Sequence, residues 1–494
     1  MKWLLAIVWV LACGPVLAVT PQEVWADWQA QMARVGVHLT ATLDERMQGT
    51  LTLRQITATI KRDGFYANGT IWELQLVQAK DGSVLVNLPV APIKMQIAPH
   101  LANYDVTLTL LEGRLRISET NGALVYALTS QGVDLDYTGW SGSRDAKKGG
   151  ALHSRGVALT VRLPEEPPEY SYHLSARELN YDLTSATPKR AEATQAVGSC
   201  QDIASQGSFV VPAGYADLMS RPDALASGLP ALRRLLEGGM AARFALTAGS
   251  SQDHSAQTLN GKTLLSWSEV GPRSIAVRMD KDGVGFDLSQ IGGRGSSTNQ
   301  NVDLQYGYGK IVVGVTLPLL GKGFEPFRLV FQLADMDFTP DWWAKHDPQG
   351  KVPHDKVQID LSARAEVKMD SLRHILDEAE GRTDTPLPVF QTLTLDRLAL
   401  SGFGATVQGS GAFRVDNRGP RPIATGKGEM RLTGIYTLLD EMQARGILVA
   451  EQNMGARMVL LSLFRPSDDL ANGLSSKVEA RADGSVWVNG NRMR

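Results

Sequence analysis

The sequence predicts a mainly β protein with large antiparallel curved sheets or a sandwich, a few helices and a C-terminal helical hairpin. Segments in which apolar and polar residues alternate with period two follow one another along most of the chain. Turn formers are frequent, with 48 Gly and 23 Pro, whereas aromatic residues make up only 7%. Helical crossovers between the strands are missing, so we expect antiparallel meanders rather than a βαβ fold.

The mature chain is predicted to open with a helix. The motif Thr-Pro-Gln-Glu at 20–23 has the pattern of a capping box with Pro at the first helical position. The helix should run to about Arg34, with Trp25, Trp28 and Met32 on one face. Because the opposite face is not rich in Lys and Arg, we expect this helix to plug one end of the first sheet rather than lie on a membrane.

Two series of strands are predicted after this helix. In the first, the apolar phase shifts between Leu53 and Ile56, which indicates a bulge near Arg54-Gln55. A helix over 213–238, interrupted at Arg221-Pro222, opens the second series. The predicted parts are a signal peptide at 1–18, an N-terminal β-rich domain at 19–185, a linker at 186–209, which lacks periodicity, a central β-rich domain at 210–390 and a C-terminal module at 391–494 packed on the central domain.

The C-terminal module is predicted to consist of three strands, two helices and a closing β-hairpin. In its first strand the alternation groups Leu393 and Leu395 with Arg397, and places Leu398 and Leu400 on the other face. A short turn after Gly446 joins two helices into an antiparallel hairpin.

The second helix of this hairpin carries a stripe formed by Met454, Met458 and Leu461. We interpret the stripe as core filling against the sheet. The alternative is a pliable ligand surface, with this helix as a lid or end plug of an apolar trough.

The N-terminus has the order of a secretory signal, namely a basic Lys2, an apolar run from Trp3 to Ala12 and small residues up to Ala18. We therefore expect a periplasmic protein. Anchoring as a lipoprotein through Cys13 is the less favoured alternative, because Leu11 fits such signals poorly. No later segment is long and apolar enough for a transmembrane span. Cys200 would then be the single cysteine of the mature chain. It has no His near it in sequence that could activate the thiol, so we do not expect it to act as a nucleophile.

Several segments together resemble one family. They include the run from Gly402 to Phe413, the Gly-Pro-Arg-Pro turn at 419–422, Gln452 to Met458 and the Trp-rich stretch at 343–355. They are similar to an alphaproteobacterial group of secreted proteins with a domain of unknown function, number 2125. The resemblance covers most of the chain and implies neither an activity nor catalytic residues. A more distant similarity to AsmA-like periplasmic β-rich proteins rests on the style of the strands.

Candidate chemical sites fail on their sequence context. His346-Asp347 and His354-Asp355 could ligate a divalent ion, but a spacing of eight in a Pro-broken loop is no recognised ligand pattern. Ser410 lies within a strand, whereas a nucleophile elbow needs a turn into a helix. The glycine runs at 292–295 and 307–309 precede no helix, so phosphate binding is not expected. We expect no catalytic residue, metal or cofactor.

The leading hypothesis is a non-catalytic envelope protein that binds an apolar or lipid-like ligand or serves as a structural module. The ligand-contacting candidates are Trp342 and Trp343, in a predicted loop, together with Met454 and Met458. The alternative is a periplasmic hydrolase that uses carboxylates. A net charge of −2 without a basic stripe excludes nucleic acid as the expected partner. The sequence leaves the oligomeric state open.

We predict export and cleavage after Ala18, because the basic, apolar and small-residue regions follow in the required order. N-terminal sequencing of the protein from a periplasmic fraction should therefore begin at Val19. A retained Met1, or an acyl group on Cys13, would contradict this prediction.

Overall fold

The computed structural model describes residues 19–493, apart from 35, 63, 100–101, 121, 142–145, 165–168, 188–190, 213–228, 299–302, 375–386, 420 and 468–472. The predicted signal peptide and the first part of the helix predicted over 213–238 lie outside the described residues. Strands make up 67% of the structure, and each described strand pair is antiparallel. The predicted fold class, mainly antiparallel β with a few helices, is confirmed.

The helices whose bounds lie within the described residues are α1 (Pro21–Arg34), α2 (Leu229–Glu237), α3 (Pro340–His346), α4 (Ile435–Ala444) and α5 (Ala450–Leu463). In the described part of the chain, none of the helices has the length and apolar character needed to cross a membrane. The strands up to residue 210 are β1 (Val37–Asp44), β2 (Thr50–Arg62), β3 (Phe65–Gln78), β4 (Val84–Asn87), β5 (Ile93–Pro99), β6 (Ala102–Leu111), β7 (Arg114–Thr120), β8 (Ala123–Ser141), β9 (Ala146–Pro164), β10 (Glu169–Thr187) and β11 (Glu192–Val210).

The later strands are β12 (Ala241–Ala248), β13 (Ser251–Leu259), β14 (Lys262–Val270), β15 (Arg273–Asp280), β16 (Gly283–Thr298), β17 (Asp303–Leu317), β18 (Glu325–Phe338), β19 (Val357–Lys368), β20 (Val389–Gly402), β21 (Ala405–Asp416), β22 (Ile423–Thr433), β23 (Arg465–Pro466), β24 (Gly473–Ala480), β25 (Val486–Val488) and β26 (Asn491–Arg492). The chain divides into two compact units. Unit 1 comprises Met1–Pro272 with Ser297–Val302, and unit 2 comprises Arg273–Ser296 with Asp303–Arg494.

Helix α1 closes the main core of unit 1, as predicted. Glu23 N donates to Thr20 Oγ1 at 3.3 Å and Thr20 N donates to Glu23 Oε2 at 2.8 Å, which confirms the capping box. Trp25 is 5% exposed and belongs to the same core cluster as Leu51 and Leu53 of β2, both fully buried. The apolar face of α1 therefore packs on the first strands.

The predicted bulge in β2 is also confirmed. Gln55 has a φ of +50°, and the pairing with β1 shifts register between Thr40 and Thr42. The extra residue turns Leu53 and Ile56 to the same side of the sheet, and both are buried.

The prediction of a linker at 186–209 is wrong. Residues 192–210 form the long strand β11, which pairs with β10 on one side and with β12 and β13 on the other. Its composition misleads because its inward side chains are small, Ala196, Gly198 and Cys200 among them. The partners directly opposite on β10 are large and supply the apolar surface that β11 lacks.

Tyrosine rings compensate for glycines across several ladders of unit 1. A Cβ at Gly198 would lie 2.5 Å from the ring of Tyr181, the residue opposite it, so the ring already fills that space. The same arrangement recurs at Gly207 with Tyr172, Gly139 with Tyr104 and Gly150 with Tyr137. Aromatic rings that cover strand glycines offset the loss of packing that glycine brings.

This packing predicts that Gly207→Ala destabilises the protein. The new Cβ would lie 2.5 Å from the Tyr172 ring and 2.9 Å from the Arg243 carbonyl oxygen, and overpacking of this kind costs about 1–3 kcal/mol. Urea unfolding followed by circular dichroism should show the loss. Gly307→Ala, whose Cβ meets nothing closer than 3.6 Å, is the control and should leave stability within about 0.5 kcal/mol. Equal effects of both substitutions would contradict the role of the Tyr172 ring.

Candidate functional site

The candidate site is one face of the sheet in unit 2, which we call the apolar face. Residues directly opposite each other in an antiparallel ladder lie on the same side of the sheet. The ladders from β17 to β24 therefore align four apolar rows. The first row is Ile311, Leu333, Ile359, Leu400, Val407, Leu432 and Leu474. The second is Val313, Phe331, Leu361, Leu398, Gly409 and Met430.

The other two rows continue the same face. The third row is Val315, Leu329, Ala363, Leu395, Gly411, Gly428, Val478 and Val488, and the fourth is Phe327, Ala365, Leu393, Phe413, Gly426, Ala480 and Val486. The first row crosses six strand-to-strand steps of about 4.8 Å, which gives a length of about 29 Å. The hydrocarbon region of one bilayer leaflet is about 15 Å thick, so an acyl chain fits along a row.

A bulge at Asp396-Arg397 makes this face continuous and corrects the predicted phase of β20. Ser362 pairs with Arg397 and Ala363 with Leu395, so the register shifts at this point. Leu398 and Leu400 consequently lie on the same face as Leu393 and Leu395, not on the opposite one. The sequence carried the signal, because the apolar spacing of two changes to three between Leu395 and Leu398.

The opposite face of the same strands is polar. Arg364 pairs with Asp396 across 2.9 Å, and Arg397 pairs with Asp360 across 3.0 Å. Farther along this face, lysine and glutamate side chains with Trp487 line a shallow depression of about 430 Å³. The charges thus indicate that this face contacts water, and we expect the apolar face to be packed against another group.

The apolar face is only partly covered by the residues that the structure describes. Most side chains of its first two rows are half-buried, among them Ile359, Leu361 and Leu398, and Leu393 in the fourth row is 41% exposed. The buried apolar side chains Leu319 and Leu372 lie just beyond the ends of strands, after β17 and β19 respectively. A sheet face with this composition is normally packed against another layer.

The Trp-rich segment is a short helix and not the predicted loop. Thr339 caps α3 by accepting from Trp342 N at 3.3 Å, and Pro340 follows at the first helical position. This Thr-Pro start is the same signal that identified α1 in the sequence.

The two tryptophans belong to an aromatic cluster. Trp343 is 8% exposed and stacks on His354 with ring centroids 3.9 Å apart, while Phe338 and Phe403 meet it edge-on. Trp342 is half-buried and stacks on Phe338. Ring packing accounts for the position of Trp343, and ligand binding by either tryptophan stays a prediction.

Asp347 ties this cluster to α4. Its carboxylate accepts from Val352 N at 2.9 Å, Lys351 N at 3.1 Å, Arg445 Nη2 at 2.6 Å and His354 Nε2 at 3.3 Å. Burial alone would raise the pKa of Asp347, but these hydrogen bonds outweigh it and hold the pKa well below its usual range. Four donors thus engage both oxygens of the carboxylate.

The remaining histidine and aspartate of the metal hypothesis are also engaged. His346 stacks on Trp342, and Asp355 accepts from Gly404 N at 3.1 Å. Among the described residues, no group of three or more His, Cys, Asp or Glu side chains could hold a metal ion. Cys200 is a buried thiol in β11, opposite Leu179 and Ser251. Ser410 lies within β21, as the sequence indicated.

The helical hairpin is confirmed, but the core-filling interpretation of its methionines is wrong. Met454, Met458 and Leu461 are 65%, 66% and 66% exposed. The residue of α5 that is buried is polar Asn453, whose amide donates to Gln443 Oε1 at 2.7 Å and Asp440 Oδ1 at 3.2 Å on α4. Polar contacts therefore hold the two helices together and leave the apolar stripe outside.

Comparison of the chain with family models, curated proteins and solved structures finds no match. The class of protein is defined by its own architecture, a large antiparallel β-sheet whose part in unit 2 has one apolar and one polar face.

We predict that Asp347→Asn lowers the melting temperature at pH 7 by several degrees, because the neutral amide loses the charge-assisted hydrogen bonds. A depressed pKa in the folded state stabilises the protein above the unfolded pKa of about 4, and this contribution is lost as pH falls through the folded pKa. Calorimetry should therefore show that the deficit shrinks below about pH 4. Asp182→Asn, exposed in β10, is the control, and an equal loss there would contradict the special role of Asp347.

Proposed function

We propose that this protein is an exported, non-catalytic envelope protein that binds a lipid-like ligand through the apolar face of unit 2. The observation that carries the proposal is the alignment of four apolar rows on one side of a sheet whose other side is charged. Half-exposed Leu, Ile, Val and Phe side chains over such an area favour an apolar occupant, since monomer surfaces rarely present extended apolar patches.

The ligand class follows from the shape of the rows. They run across the strands and are lined by aliphatic and aromatic side chains. A long, flexible and uncharged chain matches this surface better than a compact polar molecule. We therefore assign the acyl chain of a lipid or fatty acid as the bound group.

The hydrolase alternative has less support. Burial raises the pKa of Glu325, the charges of Asp282 and Asp370 raise it further, and Lys322 lowers it. Hydrolysis catalysed by carboxylate side chains needs one carboxylic acid that donates a proton and a second carboxylate on the other side of the cleft that holds the substrate. Glu325 lies at the start of β18 and does not line the depression beside Trp487.

We expect Leu361→Gln to weaken binding of an environment-sensitive fluorescent fatty acid about tenfold, because the bound chain would cover an amide without a hydrogen-bond partner, which costs about 1–3 kcal/mol. Titration with the mature protein measures this change. The control is Ser362→Gln, which places the same side chain one residue along β19 on the polar face and should bind as the wild type does.

Two outcomes would overturn this proposal. Wild-type protein that binds no fatty acid, and carries no lipid in mass spectrometry after purification from its own envelope, would favour the structural-module hypothesis. Equal loss of binding in Leu361→Gln and Ser362→Gln would show that the apolar face does not hold the chain.

A further inference from the structure

We propose that the α4–α5 hairpin is a membrane-docking element that inserts the exposed stripe of α5 into the surface of an electrically neutral lipid bilayer. The proposal concerns a surface other than the apolar face, and rests on separate residues. We call this surface the docking stripe and define it as Ile447, Val449, Met454, Met458, Val459, Leu461 and Leu463.

The hairpin is built with its polar contacts inside. Arg457 Nε donates to Asn453 Oδ1 at 3.0 Å, its guanidinium pairs with Asp440, and it lies 4.9 Å over the ring of Tyr436. Hydrogen bonds from Arg457 and Asn453 lower the pKa of Asp440, so this group stays charged within its pair. The interface between two helices of a water-exposed hairpin is ordinarily apolar.

The outside of the hairpin is correspondingly apolar. Each residue of the docking stripe is between 37% and 66% exposed, with Met458 and Leu461 at 66%. Met454, Met458 and Leu461 recur at intervals of four and three, so they share one side of α5. Ile447 and Val449, 62% and 55% exposed, extend the same surface into the turn between the helices.

The charges of the hairpin identify the occupant. Between Met454 and Leu463 the one charged residue is Arg457, which is turned towards α4. Residues 435–467 carry three acidic side chains (Asp440, Glu441, Glu451) and three basic ones (Arg445, Arg457, Arg465), so the element is neutral. Because its charges cancel, the element gains little from anionic lipid, and its binding to a bilayer must come from its apolar side chains, which suits zwitterionic headgroups.

The residue types favour hydrocarbon over a protein partner. Binding hot spots in protein interfaces are enriched in Trp, Tyr and Arg, and Leu and Val are under-represented there. The docking stripe consists of Met, Leu, Ile and Val, which offer no hydrogen-bond donors to a partner. Such side chains are stabilised by acyl chains just below the headgroups, where depth and orientation need not be specific.

The test is flotation of the mature protein with phosphatidylcholine vesicles. We expect the wild type to float with the vesicles, and raising the salt concentration should change the bound fraction less than twofold. The double variant Met458→Glu, Leu461→Glu should lower the partition coefficient at least tenfold. Thr437→Glu, exposed on α4 and outside the docking stripe, is the control and should float as the wild type does.

Circular dichroism and the fluorescent fatty acid separate this proposal from the previous one. The double variant should keep its β signal and its fatty-acid binding, whereas Leu361→Gln should lose fatty acid and still float. Wild-type protein that stays at the bottom of the gradient would overturn the proposal. A double variant that floats as the wild type does would also overturn it. So would a wild type that does not float but forms a concentration-dependent dimer, if the double variant no longer forms that dimer.

Discussion

The structure depends on one constraint, that apolar side chains stay on the same side of the sheet from strand to strand. Side chains alternate with period two, so a slip of one residue would transfer a whole strand to the wrong face. The bulges at Gln55 and at Asp396-Arg397 insert residues where the sequence would otherwise lose phase. Each bulge returns the following apolar residues to the side that their neighbours use.

Strand-to-strand complementarity explains the unusual composition. Glycines and other small residues in β11 lie opposite tyrosines and leucines of β10, and the large partner fills the space of both. The apolar contribution of a ladder can therefore come from one strand alone. Segments with little apolar content of their own still form strands, because the surface they need is supplied by residues distant in the chain.

The hairpin and the sheet divide their polar and apolar groups in opposite ways. In unit 2 the charged face of the sheet is solvated and its ion pairs are exposed, where such pairs contribute little to stability. In the hairpin, Asn453 is buried and has amide and carboxylate partners on α4. Satisfied polar contacts of this kind fix how two helices meet, and here they determine that the stripe of Met458 points away from α4.

The sequence by itself determined the features whose cause is local. The capping box at Thr20, the bulge near Gln55 and the helical hairpin all follow from residues a few positions apart, and the antiparallel class follows from period-two alternation with short turns. Tertiary structure decided the rest, because the exposure of a side chain depends on which residues distant in the sequence pack against it. It made a strand of 192–210, placed Trp343 inside an aromatic cluster and left Met454 in contact with solvent.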